Sequence, residues 1–254
     1  MNIIVCLKQT FDTEEKIVLQ GGAISEDGVE FIINPYDEYA VEEAIKLRDE
    51  HGGEVTVVTV GPDRAESALR TALAMGADKA VIVEDEDGNY DEYSVAKILA
   101  AVIKDRDYDI IIGGNMAVDN GAGQVGPRLA EELNIPQVTT ITKLEVAGGK
   151  ATIERDVEGD QEVVEVSLPV LVTAQQGLNE PRYPSLPGIM KAKKKPMERL
   201  SVEDLELDGD VAAKTAVIET YLPPKKEAGR VLSGDVTDQV KELVQLLRSE
   251  AKVI

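Results

Sequence analysis

Tryptophan is absent, and only two Phe and seven Tyr occur among the 254 residues, so any core must be built from Val, Ile, Leu and Ala. A single cysteine, Cys6, excludes an internal disulfide and any thiolate zinc cluster. It lies within Ile3-Ile4-Val5-Cys6-Leu7, where a small buried hydrophobe is the default reading over a nucleophile. The single histidine, His51, stands in Asp49-Glu50-His51-Gly52-Gly53, a helix C-terminus signal, so a helix-end role is expected rather than acid–base work. Most nucleophilic and zinc-dependent mechanisms therefore have no parts to run on. Positive charge is also short: 27 basic residues against 48 acidic ones leave a net charge of −21, which argues against a nucleic-acid footprint. No apolar run reaches the roughly 18 residues of a membrane span, and the N-terminus lacks a basic region followed by an apolar stretch and cleavage site. A soluble cytoplasmic protein with no membrane insertion is expected.

What is present is a repeated alternation. Residues 2–7 and Val55 to Val60 are β-branched apolar runs typical of strands covered on both faces, as are Lys79 to Val83 and Ile110 to Ile112. Helical spacing fills the intervals, over about 37–51, 63–75, 93–104 and 122–133. Strands alternating with helices of this length imply βαβ units and a doubly wound, Rossmann-like α/β fold with a mostly parallel sheet. Lys16 to Ile33, with turn signals at Gly21-Gly22 and Glu26-Asp27-Gly28, reads as a hairpin excursion. From Val138 to Val166 three strand-like segments with Gly-rich turns read as an antiparallel meander, before Leu168 to Ala174 returns to the sheet.

The length suits one large domain with a smaller appendage. The division expected is an α/β domain over 1–195 and an arm over 196–254. The arm has an acidic stretch (201–209), an extended Pro223-Pro224-Lys225-Lys226 segment, and a final amphipathic helix from Asp235 to Ala251. It has too little core of its own. Packing on the same subunit and embracing a different chain remain equally open from the residues.

Ligands of open parallel sheets sit beyond the carboxyl ends of the strands. Three turns qualify: Cys6 to Gln9, Val60 to Pro62, and Gly113 to Pro127. The third joins a strand to a helix through Gly114, Asn115, Met116, Ala117, Val118, Asp119, Asn120, Gly121, Ala122, Gly123, Gln124 and Val125. Its glycines permit positive φ, and the following helix N-terminus offers N–H groups to an anion. Asp119 suits ribose hydroxyls and Gln124 a phosphate, although Asp119 or Asn120 as a plain helix cap explains the pattern as well. The loop is neither GxGxxG nor a Walker motif. Asn34-Pro35-Tyr36-Asp37 opens a helix at the same sheet edge. A second anomaly is the stretch from Gln176 to Lys195. It has no helical or strand periodicity, carries Pro181, Pro184 and Pro187, shows an exposed leucine, Leu186, and ends in Lys191, Lys193, Lys194 and Lys195. On an acidic chain, such a segment suits contact with a partner.

The run Ile153-x-Arg155-x-x-Glu158-Gly159-Asp160-x-Glu162-x-Val164, followed by Pro169-x-Leu171-Val172-Thr173, resembles the signature of the electron-transfer flavoprotein β subunits. So do Leu178-Asn179-Glu180-Pro181-Arg182-Tyr183, Ile189-Met190-Lys191-Ala192-Lys193-Lys194-Lys195, Asn34-Pro35 with Ala40 to Ala44, and Arg70 to Asp78, all in family order. The resemblance implies a heterodimer with a larger α subunit that holds most of the FAD, the β subunit walling one side of the flavin and burying a structural AMP. Carried over by position, AMP contacts would come from Cys6, Asn34 to Asp37, Val60, and Gly114 to Val125. The arm would pack on the α subunit.

The same resemblance implies that Leu186 anchors donors of the acyl-CoA dehydrogenase type, with Tyr183, Pro187, Ile189, Met190 and Lys191 around it. Electrons would pass on to a quinone oxidoreductase, with no substrate turnover by the chain itself. The lysines would steer acidic partners or contact the α subunit. Family members with a second, bifurcating FAD often carry Asp-Gly-Asp-Thr-Ala-Gln-Val-Gly-Pro. Here the run is Asp119-Asn120-Gly121-Ala122-Gly123-Gln124-Val125-Gly126-Pro127, which lacks the Asp-Thr pair and favours AMP. The rival readings are such a bifurcating β subunit and an adenine-nucleotide sensor of the universal-stress-protein kind.

Overall fold

The computed structural model describes residues 1–85, 90–205, 207, 211–226 and 228–254, so part of the acidic stretch 201–209 lies outside the described residues. The described chain forms two compact units. The larger, Met1–Val18 with Ser25–Ile218, holds β1 (Asn2–Cys6) and β2 (Gln9–Phe11), and the smaller, Leu19–Ile24 with Glu219–Ile254, holds the β3 (Leu19–Gln20) and β4 (Ala23–Ile24) hairpin. In the larger unit β5 (Phe31–Ile33) pairs back onto β2, and α1 (Pro35–His51) follows. Then come β6 (Glu54–Gly61), α2 (Glu66–Met75), β7 (Lys79–Glu84), α3 (Glu92–Ile103), β8 (Ile110–Gly114) and α4 (Val125–Glu132). The meander is β9 (Gln137–Ala147), β10 (Lys150–Val157) and β11 (Asp160–Ser167), after which β12 (Val170–Ala174), α5 (Leu186–Ala192) and β13 (Met197–Ser201) complete the unit. The smaller unit closes with α6 (Val236–Leu246), whose Val236, Val240 and Leu243 stripe is exposed.

One nine-stranded sheet runs in the order β11-β10-β9-β12-β8-β1-β6-β7-β13. Along the sheet from β9 through β12, β8, β1, β6 and β7 to β13 every pairing is parallel, and the two pairings of β10, with β9 and β11, are antiparallel. Successive residues of each central strand serve opposite faces. Ile3, Val5, Val55, Val57, Ile110 and Ile112 pack with α1 and α2 through Val41, Ile45, Leu69 and Leu73. Ile4, Val58, Val81, Val83 and Ile111 pack with α3 and α4 through Ile98, Val102, Ile103 and Leu129. This is why the strands read as unbroken apolar runs. Truncating a fully buried residue such as Ile111 to Ala is expected to cost about 2–5 kcal/mol. The fold is thus doubly wound α/β, as the alternation predicts.

The chain order first reverses between β7 and β8. From β1 it winds through α1 to β6 and through α2 to β7; α3 then carries it across the other face to β8, on the far side of β1. The β1/β8 boundary is a topological switch point, the place where open α/β sheets form their crevice.

Two segments differ from expectation. The stretch read as aperiodic contains α5, a seven-residue helix capped by Ser185, whose hydroxyl accepts from the Gly188 amide at 3.1 Å, with Pro187 in its first turn. Past Pro196, where no strand is legible, β13 adds an edge strand to β7. Its alternating charges, Glu198 and Arg199, belong to a half-exposed edge, where Arg199 pairs with Asp63, Glu66 and Glu84. No helix among the described residues is long and apolar enough to cross a membrane.

Candidate functional site

A cleft of about 320 Å³ opens at the carboxyl ends of β1, β6 and β8, at the switch point. Its polar architecture comes from the first turn of α1. Asp37 is 5% exposed, and its carboxylate bridges two strand ends: Oδ2 accepts from the Lys8 amide at 2.7 Å and Oδ1 from the Gly114 amide at 2.9 Å. Residue 114 must be glycine here, because a Cβ would overlap Asp37 Oδ1 and lie 2.7 Å from Tyr36 Cβ. Three residues earlier, Asn34 clamps the β8–α4 loop: its Nδ2 donates to the Met116 carbonyl at 2.9 Å and its Oδ1 accepts from the Val118 amide at 3.1 Å. One short motif therefore fixes both sides of the crevice.

Burial drives the Asp37 carboxyl up to about 7, outweighing the Lys8, Asn34 and Gly114 hydrogen bonds that favour the ionised form. Desolvation, with the Asp37 charge second, pushes the Cys6 thiol up to about 12, which keeps it protonated and un-nucleophilic.

The cleft wall includes Cys6, Asn34, Asp37, Val60, Gly114, Asn115, Met116, Ala117, Asn120, Ala122, Gly123, Gln124 and Val125. Pro35, Tyr36, Val118, Asp119 and Gly121 support the wall without lining it. Neither Asp119 nor Asn120 caps α4. Gln124 holds that position with no side-chain cap bond, because Gly121 and Gly123, at φ 65° and 61°, displace the helix start beyond the expected residue. Asp119 instead pairs with Lys8 Nζ at 2.6 Å, and Asn120 donates to Glu92 at 2.9 Å. Gln124 Oε1 accepts from Arg128, leaving the uncapped amides of Val125 and Gly126 on the cleft wall. Sequence reasoning missed the wall formed by Asp85, Tyr90, Asp91 and Val95, because the one glycine between β7 and α3, Gly88, belongs to no ligand-binding motif. Asp91 caps α3 through the Ser94 amide at 3.0 Å and also receives the Lys214 and Thr215 amides.

The second candidate surface shares no residue with the cleft. Tyr183, Leu186 and Met190 are 94, 80 and 74% exposed, with Pro187, Ile189 and Lys191 exposed beside them. The segment that carries them is tied to α1. Arg182 grips the buried Glu42 at 2.7 and 2.9 Å, and Asn179 donates to Glu43 at 2.9 Å and to the Tyr39 carbonyl at 3.0 Å. Leu178 enters the core. Of the four lysines, Lys191, Lys193 and Lys194 are exposed, whereas the Lys195 ammonium turns inward onto the Leu73 and Ala77 carbonyls. The expectation that all four face partners is corrected for Lys195.

Fold and cleft together define a doubly wound α/β protein with a crevice at its switch point. An electron transfer flavoprotein domain matches residues 21–205. The electron transfer flavoprotein subunit beta of Bacillus subtilis (strain 168) is 62% identical, with both chains covered in full. The subunit of the same name from Syntrophomonas wolfei is 44% identical over all of this chain and 98% of the relative. The caffeyl-CoA reductase–Etf complex subunit CarD of Acetobacterium woodii is 38% identical over 94 and 95% of the two chains. The chain belongs to the electron transfer flavoprotein family, as a β subunit.

Proposed function

We propose that this chain pairs with an electron transfer flavoprotein α subunit and serves as the carrier half of a soluble heterodimer, without substrate turnover of its own. The cleft takes AMP as a structural ligand, and the β subunit walls an FAD held mainly by the α subunit. FAD would supply the redox chemistry, and this chain's own residues bind, orient and dock.

The residues fit a mononucleotide. Val60, Ile111, Leu129 and Leu171 offer apolar wall to a base, and the Val125 and Gly126 amides suit a phosphate. The volume lies at the small end of the ~300–1,000 Å³ range of ligand pockets, which favours AMP over a second dinucleotide. The exposed face at Leu186 docks acyl-CoA dehydrogenase-type donors, and electrons leave to a quinone oxidoreductase. The observation that carries this reading is the pairing of a clamped nucleotide cleft with a separate, rigidly mounted apolar face. Replacing Leu186 by Ala in the assembled heterodimer tests it: reduction by an acyl-CoA dehydrogenase should slow while flavin content is unchanged, and an equal rate removes the docking role.

The Acetobacterium relative, named for a reductase–Etf complex, supports a second reading as a bifurcating β subunit with a second FAD in the cleft. Family membership sets aside the stand-alone nucleotide sensor.

A further inference from the structure

The C-terminus of α2 is incompletely satisfied by its local backbone. Its last turn contains no basic residue, and the Gly76 and Ala77 amides both return to the Ala72 carbonyl at 3.1 Å. The Leu73 carbonyl is thereby left over at the negative end of the helix. Lys195 fills the gap: its Nζ donates to Leu73 O at 2.9 Å and also to Ala77 O. The relation is reciprocal. Arg70, on α2, donates through one guanidinium nitrogen to the Ala192 carbonyl at 2.9 Å and the Lys195 carbonyl at 3.3 Å, at the end of α5, while Glu66 holds its Nε at 3.0 Å. The end of α5 thus receives a cation from α2, and the end of α2 one from the segment just after α5. Between the two crossings Gly188 approaches the Ala74 carbonyl so closely that a Cβ would overlap it. Ala74 and Ala192 are buried at the contact.

A helix of seven residues is too short to hold its shape in isolation. The exposed Leu186 and Met190 side chains are therefore presented in one pose only because α5 is fixed from below. A prearranged face lowers the ordering cost of a transient complex.

We propose that Lys195 and Arg70 form a reciprocal staple that sets the pose of the docking face on α5, making Lys195 a positioning residue for encounter with the donor rather than one of the exposed partner-facing lysines. The proposal rests on the docking reading of Leu186 given above. Burial lowers the pKa of the Lys195 ammonium while Asp78 opposes that shift, consistent with a lysine committed to an internal contact.

The test uses the assembled heterodimer as electron acceptor for an acyl-CoA dehydrogenase, in wild-type, Lys195→Met, Lys195→Arg, Leu186→Ala and Lys195→Met/Leu186→Ala forms. KM for the flavoprotein and kcat are measured for each. Lys195→Met keeps the apolar stem and should raise KM roughly fivefold, with kcat changed less than about twofold. Lys195→Arg should recover most of the loss. In the double variant the second change should add less than about a twofold effect, because the staple acts only through the face that Leu186 anchors. An unchanged KM in Lys195→Met, or effects that multiply in the double variant, overturns the proposal. If Lys195→Met fails to assemble, Arg70→Lys takes its place under the same criteria. If Leu186→Ala itself leaves KM unchanged, the docking reading falls and the staple's role with it; a large Leu186 effect beside a silent Lys195 overturns the staple alone.

Discussion

Asp37 and Gly114 fit one another as acceptor and space: the Gly114 amide donates to Asp37 Oδ1 at 2.9 Å, and any Cβ at 114 would overlap that oxygen. The carboxylate also holds the Lys8 amide at 2.7 Å, so a single buried side chain ties the end of β8 to the chain leaving β1. The cleft mouth depends on this pair. Gly114→Ala should push Asp37 off both amides, destabilise the protein by about 2–4 kcal/mol and release the nucleotide proposed for the cleft. Thermal unfolding and nucleotide content of the purified heterodimer measure both effects, and loss of neither would remove the clamp from the account.

The Asp37 carboxyl, raised to about 7 from an ordinary 3.8, predicts a signed pH dependence. Its folded-state pKa is above its unfolded one, so the folded state binds the extra proton between these values. The contribution is fully present below about pH 4 and is lost as pH rises towards 7. Asp37→Asn should flatten that part of the stability profile relative to wild type. Taking the difference between the two profiles cancels the other carboxylates of this acidic chain. A difference curve with no slope between pH 4 and 7 contradicts the assignment.

Arg182 and Glu42 fasten the segment that leads to Leu186 onto α1. Glu42 is buried while Arg182 is about two-fifths exposed, so the pair is screened on one side only. Arg182→Met strands the Glu42 carboxylate and should cost about 2 kcal/mol after that discount, whereas Glu42→Gln with Arg182 intact should cost less. Chemical denaturation of the three forms gives the order, and the reverse order would refute it.

Much of this architecture is legible before the structure. The β-branched runs at 2–7, 55–60 and 110–112 announce strands covered on both faces, and the glycine-rich segment after Ile112 announces the crevice. What escapes is whatever depends on tertiary partners. Asp37, Glu42 and Glu43 look like the acidic first turns of a solvated helix, and only the arrival of the Lys8 and Gly114 amides, Arg182 and Asn179 makes them buried acceptors. α5 hides among prolines because its stability comes from α2. Lys195 is indistinguishable by composition from its exposed neighbours, although the missing cation in the last turn of α2 was a signal that something must replace it. The side of the cleft formed by Asp85, Tyr90, Asp91 and Val95 carries no ligand-binding motif, since its role is set by where β7 ends in the sheet.

The measurement that bears most directly on the account is the identity and stoichiometry of the small molecules released when the purified heterodimer is denatured. One FAD and one AMP per heterodimer is the predicted result, the AMP being lost in Gly114→Ala while the FAD is retained. Two FAD and no AMP would contradict it, placing a second flavin in the cleft that Asp37 and Gly114 hold open.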